Sequence, residues 1–155
     1  MEKRNYLTYC GLYCELCDAR NKTPGKAREL RQSLKDGEFE EWGPGIKEYD
    51  DFWKLLNRFS DTPVEMCCKN ETCGHPNCRI RKCAKARGVE TCAFCEDYPC
   101  EMILRFYESE PLLLHDGQRM KKIGIDKWIE EQEQRKEKGF NYSDIRTGKP
   151  DIPIK

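Results

Sequence analysis

The residues of this chain that could do chemistry are its cysteines, eleven in 155 residues. Three form Cys10-Gly-Leu-Tyr-Cys14-Glu-Leu-Cys17, and eight fall between Cys67 and Cys100. Such density serves a disulfide framework, metal thiolates or thiol redox chemistry. The chain opens Met1-Glu-Lys-Arg-Asn-Tyr-Leu-Thr-Tyr-Cys10 without the apolar stretch of an export signal, so a cytoplasmic, reducing setting is expected, where thiols stay free for metal. The odd count also leaves one thiol over in any all-disulfide scheme.

Spacing narrows the chemistry further. Cys14 and Cys17, and again Cys92 and Cys95, are two residues apart, the separation at which a turn presents two thiolates to one tetrahedral ion. Zinc needs four ligands about 2.3 Å away, so each knuckle must recruit others; Cys10 and Cys100 lie near enough in sequence, and Cys92-x2-Cys95-x4-Cys100 supplies three alone. Between the knuckles runs Cys73-Gly-His-Pro-Asn-Cys78-Arg-Ile-Arg-Lys-Cys83-Ala-Lys-Ala-Arg-Gly88. Asn77 is expected to cap a helix that Gly88 ends, which turns Cys78 and Cys83 about 500° apart and onto different faces. Cys78 then pairs with Cys73 or the Cys67-Cys68 doublet, while Cys83 faces the core or a second site. His75 is read as an exposed turn residue in preference to a nitrogen ligand. The candidate metal ligands are therefore Cys10, Cys14, Cys17, Cys73, Cys78, Cys83, Cys92, Cys95 and Cys100.

Zinc is the expected cofactor, one or two ions in a structural role, because paired knuckles far apart in sequence suit tetrahedral crosslinking. An iron–sulfur cluster is the alternative; four-cysteine clusters fit the count, but the runs depart from the compact Cys-x2-Cys-x2-Cys-x3-Cys-Pro arrangement. Cys10-x3-Cys14-x2-Cys17 also has the spacing of a radical S-adenosylmethionine cluster, yet 155 residues with little strand signal are too few for the barrel such enzymes use.

The elements that must position these thiols read mostly as helix. Thr23-Pro24 is expected to open a helix running to Asp36-Gly37, and Asp50 or Asp51 a second one whose stripe of Phe52, Trp53, Leu55, Leu56 and Phe59 is expected to be core. A third covers Cys100 to Tyr107 and stops at Ser-Glu-Pro111. Leu112 to Leu114, Ile123, Ile125, Trp128 and Ile129 continue the core. The polar run Glu130 to Lys138 is expected to leave the body as a solvated, charge-laced helix closed by Gly139, and Phe140 to Lys155 to form a loop that packs through Phe140, Tyr142 and Ile145. The fold expected is a small, irregular, mainly α domain over 1–155, crosslinked by cysteine metal sites, with little or no sheet. Residues 18–66 form a scaffold between cysteine clusters 10–17 and 67–100, and residues 101–155 a terminal helix and tail.

The combination Tyr9-Cys10-Gly-Leu-Tyr-Cys14-Glu-Leu-Cys17, Cys78-Arg-Ile-Arg-Lys-Cys83-Ala84 and Cys92-Ala-Phe-Cys95-Glu-Asp-Tyr-Pro99-Cys100 resembles the bacterial and archaeal domain of unknown function 3795 family, over about Tyr9 to Leu104. The resemblance implies a small cytoplasmic zinc-binding protein and brings no reaction with it. The chain departs from the family's pattern at Cys67-Cys68-Lys69-Asn70, where a Cys-x-Gly-Cys knuckle is expected, so Cys67 and Cys68 are left outside the ligand set.

Other functions find less support. The formal charge is zero, and the basic stretch Arg79, Arg81, Lys82, Lys85 and Arg87 surrounds thiolates that it can neutralise, so neither nucleic acid nor membrane is an expected partner. No nucleophile and base arrangement surrounds His75 or His115, so no catalytic residue is assigned. A reactive thiol at Cys67 or Cys68 would make a redox or sulfur-handling enzyme. The reading that stands is a zinc-holding binding module that acts through a protein partner.

Overall fold

The structure, a computed structural model, describes residues 2–62, 66–73, 75 and 77–146. The chain divides into two compact units, one of Asp18–Val64 and one of Met1–Cys17 with Glu65–Lys155. The architecture is mainly α, as expected; the single extended pairing among the described residues is a bridge between Leu7 and Tyr13.

The cysteine-free unit is built on α2 (Thr23–Asp36) and α4 (Tyr49–Ser60), with the short α1 (Asp18–Asn21) and α3 (Phe39–Trp42) beside them. Pro24 lies in the first turn of α2, where its missing N–H has no helical partner, although Lys22 and not Thr23 occupies the cap. Arg28 donates to the Ser60 carbonyl at 2.9 Å and Arg31 to Asn57 and Asp61, which ties α2 to the end of α4. The buried Phe39 ring is surrounded by Trp42, Tyr49, Phe52 and Trp53. The expectation of a core stripe on α4 is corrected here. Leu56 is buried, but Phe52, Leu55 and Phe59 are 38%, 51% and 48% exposed, because the stripe is wider than the face that packs on α2.

The cysteine-bearing unit contains α5 (Arg79–Ala86), α6 (Glu101–Tyr107), α7 (Leu112–Ile123), α8 (Ile125–Glu137) and α9 (Tyr142–Arg146). Cys78 caps α5 in place of the expected Asn77, and Gly88, at a φ of +65°, follows its end. Its main core gathers Leu7, Tyr13, Leu16, Leu112, Met120, Trp128, Ile129, Phe140 and Tyr142. A second cluster, Ala84, Cys92, Ile103 and Leu113, packs α5, α6 and α7 around one cysteine.

The polar half of α8 does not leave the body, contrary to expectation. Gln132 is fully buried, Arg135 grips the buried Asp116 carboxylate with contacts of 2.9 and 3.1 Å, Glu133 accepts from Tyr13 Oη at 2.7 Å, and Lys136 pairs with Glu15. The charge run is thus a paired network against the core. Phe140 and Tyr142 are buried and Ile145 packs against the same cluster, as expected, but residues 142–146 are helix and not loop. Asp144 sets that start by accepting from the Asn141 N–H at 2.9 Å, a capping arrangement. The expected loop beyond residue 146 lies outside the described residues. No helix among them is long and apolar enough to cross a membrane.

Candidate metal centre

Cys92 and Cys95 flank a 3-10 turn, Cys92–Phe94, closed by the Cys95 N–H on the Cys92 carbonyl at 2.9 Å. The knuckle is anchored by the Cys92 N–H and the buried Thr91 hydroxyl, which both donate to the Tyr9 carbonyl, at 2.7 and 3.3 Å. Cys100 caps α6, its carbonyl accepting from Ile103 and Leu104. Cys83 lies on α5, and α5 is turned back by the Val89 N–H on the Ala84 carbonyl. These four cysteines line one cavity of about 80 Å³, walled by Ile80, Val89, Met102 and Ile103.

The loop from Cys95 to Cys100, with a cis Tyr98–Pro99 bond, is held by Tyr98, whose hydroxyl donates to the Leu113 carbonyl at 3.2 Å. Its ring presses on Gly117 of α7; a Cβ there would lie 2.1 Å from Tyr98 Oη, so only glycine permits the approach. Burial pushes the Cys92 thiol up to about 12, and the sulfurs of Cys10, Cys100, Cys95 and Cys83 add to the shift by disfavouring another negative charge. Arg87 offers the opposite charge: Nη1 donates to Cys95 Sγ at 3.5 Å and pairs with Asp97 at 2.6 Å.

A second group of thiols forms around the other knuckle. Cys14, Cys67 and Cys68 are buried in contact, with Cys73, Tyr6 and Tyr9 packed against them. The backbone at Cys68, Tyr9 and His75 acts to lower the thiol pKa of Cys14, Cys68 and Cys73 in turn. Arg81, only 3% exposed, donates Nη1 to Cys73 Sγ at 3.3 Å and Nη2 to the His75 carbonyl at 2.9 Å. Burial, with Cys67 and Cys17 nearby, pushes Cys14 up to about 12. A hydrogen bond from the Cys68 thiol, helped by Arg81, holds Cys73 down and its partner Cys68 up. Burial pushes Cys10 up to about 11, against a 3.0 Å contact with Thr8 Oγ1.

Of the nine expected ligands, Cys83, Cys92, Cys95 and Cys100 come together, and Cys14 and Cys73 meet Cys67 and Cys68, the pair set aside on sequence. Cys10 stands within electrostatic reach of Cys14, Cys68, Cys78 and Cys92. Cys17 and Cys78 are half-buried, and His75 is exposed. Among the described residues, no three cysteine, histidine, aspartate or glutamate side chains already converge as the ligands of one ion. The burial of Cys67 and Cys68 had no signal in spacing. What places them is the Asn70-x-Thr72 turn, where Thr72 Oγ1 accepts from the Cys67 N–H at 3.1 Å and folds Cys73 back toward Cys67.

The chain belongs to the family described as protein of unknown function DUF3795, whose pattern matches residues 6–105. No curated protein and no solved structure matches it.

Proposed function

We propose that this member of the DUF3795 family is a metal-thiolate protein in which Cys83, Cys92, Cys95 and Cys100 hold a structural zinc ion. The observation that carries the reading is the meeting of four thiols, from α5, the Cys92–Cys95 knuckle and the cap of α6, on a single cavity. The donor set fits the ion: sulfur is a preferred zinc donor, and four such ligands make a closed, structural site. Binding replaces the thiol protons, and rotation of four short side chains brings the sulfurs from the cavity wall onto the ion. Four thiolates around a divalent ion leave about two negative charges, which the Arg87 guanidinium at Cys95 partly offsets. The role that follows is a crosslink between helices too small to bury a large core, in a module that binds a protein partner. The exposed Leu30, Trp42, Phe52, Leu55 and Phe59 support that last part.

A second reading, an iron–sulfur cluster on the same four cysteines, is favoured by the cavity itself, since a polynuclear cluster occupies space between its ligands that a single ion does not need. Replacing Cys92 and Cys95 with Ser together tests both. The expected outcome is loss of one metal centre per chain and of several kcal/mol of stability, because metal binding and folding are linked. Unchanged metal content and melting temperature would remove these residues from any centre. Iron and labile sulfide lost in place of zinc would establish the second reading.

A further inference from the structure

The first centre uses four of the eleven cysteines. The three most buried of the others, Cys14, Cys67 and Cys68, touch one another and Cys73. We propose that Cys14, Cys67, Cys68 and Cys73 form a second, separate thiolate site that takes a soft divalent cation of the zinc class, with Arg81 as its resident counter-charge. The proposal rests on the reading of this chain as a metal-thiolate protein and extends it to Cys67 and Cys68, which the sequence left outside the ligand set.

Two independent features point to anionic sulfur here. The first is Arg81. A guanidinium stays charged, and a charge that is 97% withdrawn from water needs an anion facing it. Its Nη1 faces Cys73 Sγ at 3.3 Å. A neutral thiol is a weak acceptor, whereas a thiolate supplies the charge-assisted hydrogen bond this donor is oriented to make. The second feature is convergence. Cys14 and the Cys67–Cys73 loop, far apart in sequence, pack four cysteines into one largely buried cluster, the donor set that a soft cation holds in its thiolate form.

Four thiols packed this closely cannot all become thiolates without a cation between them, and rotation of their short side chains brings sulfurs that do not yet converge onto one ion. One guanidinium does not balance four thiolates, and a divalent cation among them does so far better. The segment that closes the site is short and self-supporting: Thr72 Oγ1 accepts from the Cys67 N–H, and Asn70 Oδ1 accepts from the Thr72 N–H at 3.2 Å. Cys67 and Cys73 are thereby brought back toward Cys14 from one loop, which then supplies three of the four ligands. The fourth, Cys14, comes from the N-terminal knuckle.

The test is native mass spectrometry of the full chain loaded with zinc, comparing the wild type with Cys67→Ser/Cys68→Ser and Cys92→Ser/Cys95→Ser. The proposal expects two ions in the wild type and one in each double variant. A Cys67→Ser/Cys68→Ser protein that keeps the wild-type count while the other variant loses an ion overturns the second site and leaves the first standing. The reverse pattern removes the first and keeps the second. Two measurements avoid dependence on a variant that fails to fold. In the zinc-loaded wild type, Cys14, Cys67, Cys68 and Cys73 should resist alkylation as a group and become reactive together when a chelator withdraws one ion; equal labelling with and without zinc overturns the site. Arg81→Gln, which keeps every thiol, should weaken one of the two ions by roughly 10–100-fold and leave the other unchanged, the range typical of lost hydrogen bonds to metal ligands. Equal affinity for both ions in Arg81→Gln and wild type overturns the assignment of Arg81 and, with it, the charge argument for the site.

Discussion

At the scale of single residues, the protein's behaviour with pH is set by where its sulfurs hold protons. Burial pushes Cys10 to about 11 and Cys14 and Cys92 to about 12, above the ordinary value of 9.0. In the metal-free protein these groups ionise more readily when unfolded than when folded, so their contribution is complete below about pH 9 and is lost as pH rises toward 11–12. Cys73 has the opposite sign, but it is hydrogen-bonded to Cys68, which shifts upward, so the three singly raised thiols set the trend, and Tyr98, which burial also raises to about 12, adds to it. Thermal unfolding of reduced, chelated protein should therefore show a melting temperature that falls steadily above pH 9; a flat profile would mean that these thiols are not buried as described. Zinc should bind more tightly as pH rises through the neutral range, because each ligand must give up its proton. Spacing made Cys92, Cys95 and Cys100 legible as a set, since a local chelate is a property of neighbouring residues. It left Cys83 undecided between the core and a second site. It offered the Cys67-Cys68 doublet only as a possible partner of Cys78 and did not place it beside Cys14, since that placement depends on a side-chain hydrogen bond to Thr72.

Among the elements, α7 and α8 carry the rest of the structure that holds the site. Asp116 is fully buried and bound by Arg135 across the α7–α8 pair. Asp116→Ala leaves a mostly buried guanidinium without this partner and is expected to cost about 3–5 kcal/mol, measured by urea unfolding; a cost under about 1 kcal/mol would show that the pair is solvent-compensated. Gly117 is the more specific probe. Gly117→Ala inserts a methyl group where Tyr98 Oη lies 2.1 Å away, so the ring and the loop from Cys95 to Cys100 must shift. The expected result is a loss of about 1–3 kcal/mol together with weaker metal binding; full stability with wild-type metal affinity would show that the Tyr98 contact does not position Cys95 and Cys100. The starts of α2, α4 and α6 and the ends of α2 and α6 were readable to within one or two residues, because proline, aspartate, glycine and the apolar period mark them. The polar half of α8 was not. A charge run has the same period whether water or an opposing carboxylate faces it, and the partners that decide the matter, Glu15, Tyr13 and Asp116, lie far away in sequence.

For the whole molecule, all eleven cysteines fall in one compact unit and none in the other. Metal removal should therefore act on one unit selectively. Hydrogen exchange on the reduced protein before and after chelation is expected to show protection lost in residues 2–17 and 66–146 and retained along α2 and α4, which are tied by Arg28 and Arg31. Equal loss throughout would mean that the cysteine-free unit depends on the metal as well. The mainly α class followed from helix signals that repeat along the chain, but the division into units was visible only as the absence of cysteine from Asp18 to Val64.

The central claim is that Cys83, Cys92, Cys95 and Cys100 bind metal, and it is tested most directly by elemental analysis of protein purified without air, paired with alkylation mapping of the same sample. The account predicts zinc bound in whole-number ratio to the chain and no visible colour, with these four thiols protected until a chelator is added. Protein that folds without metal, and whose four thiols label at one rate with and without chelator, would contradict it.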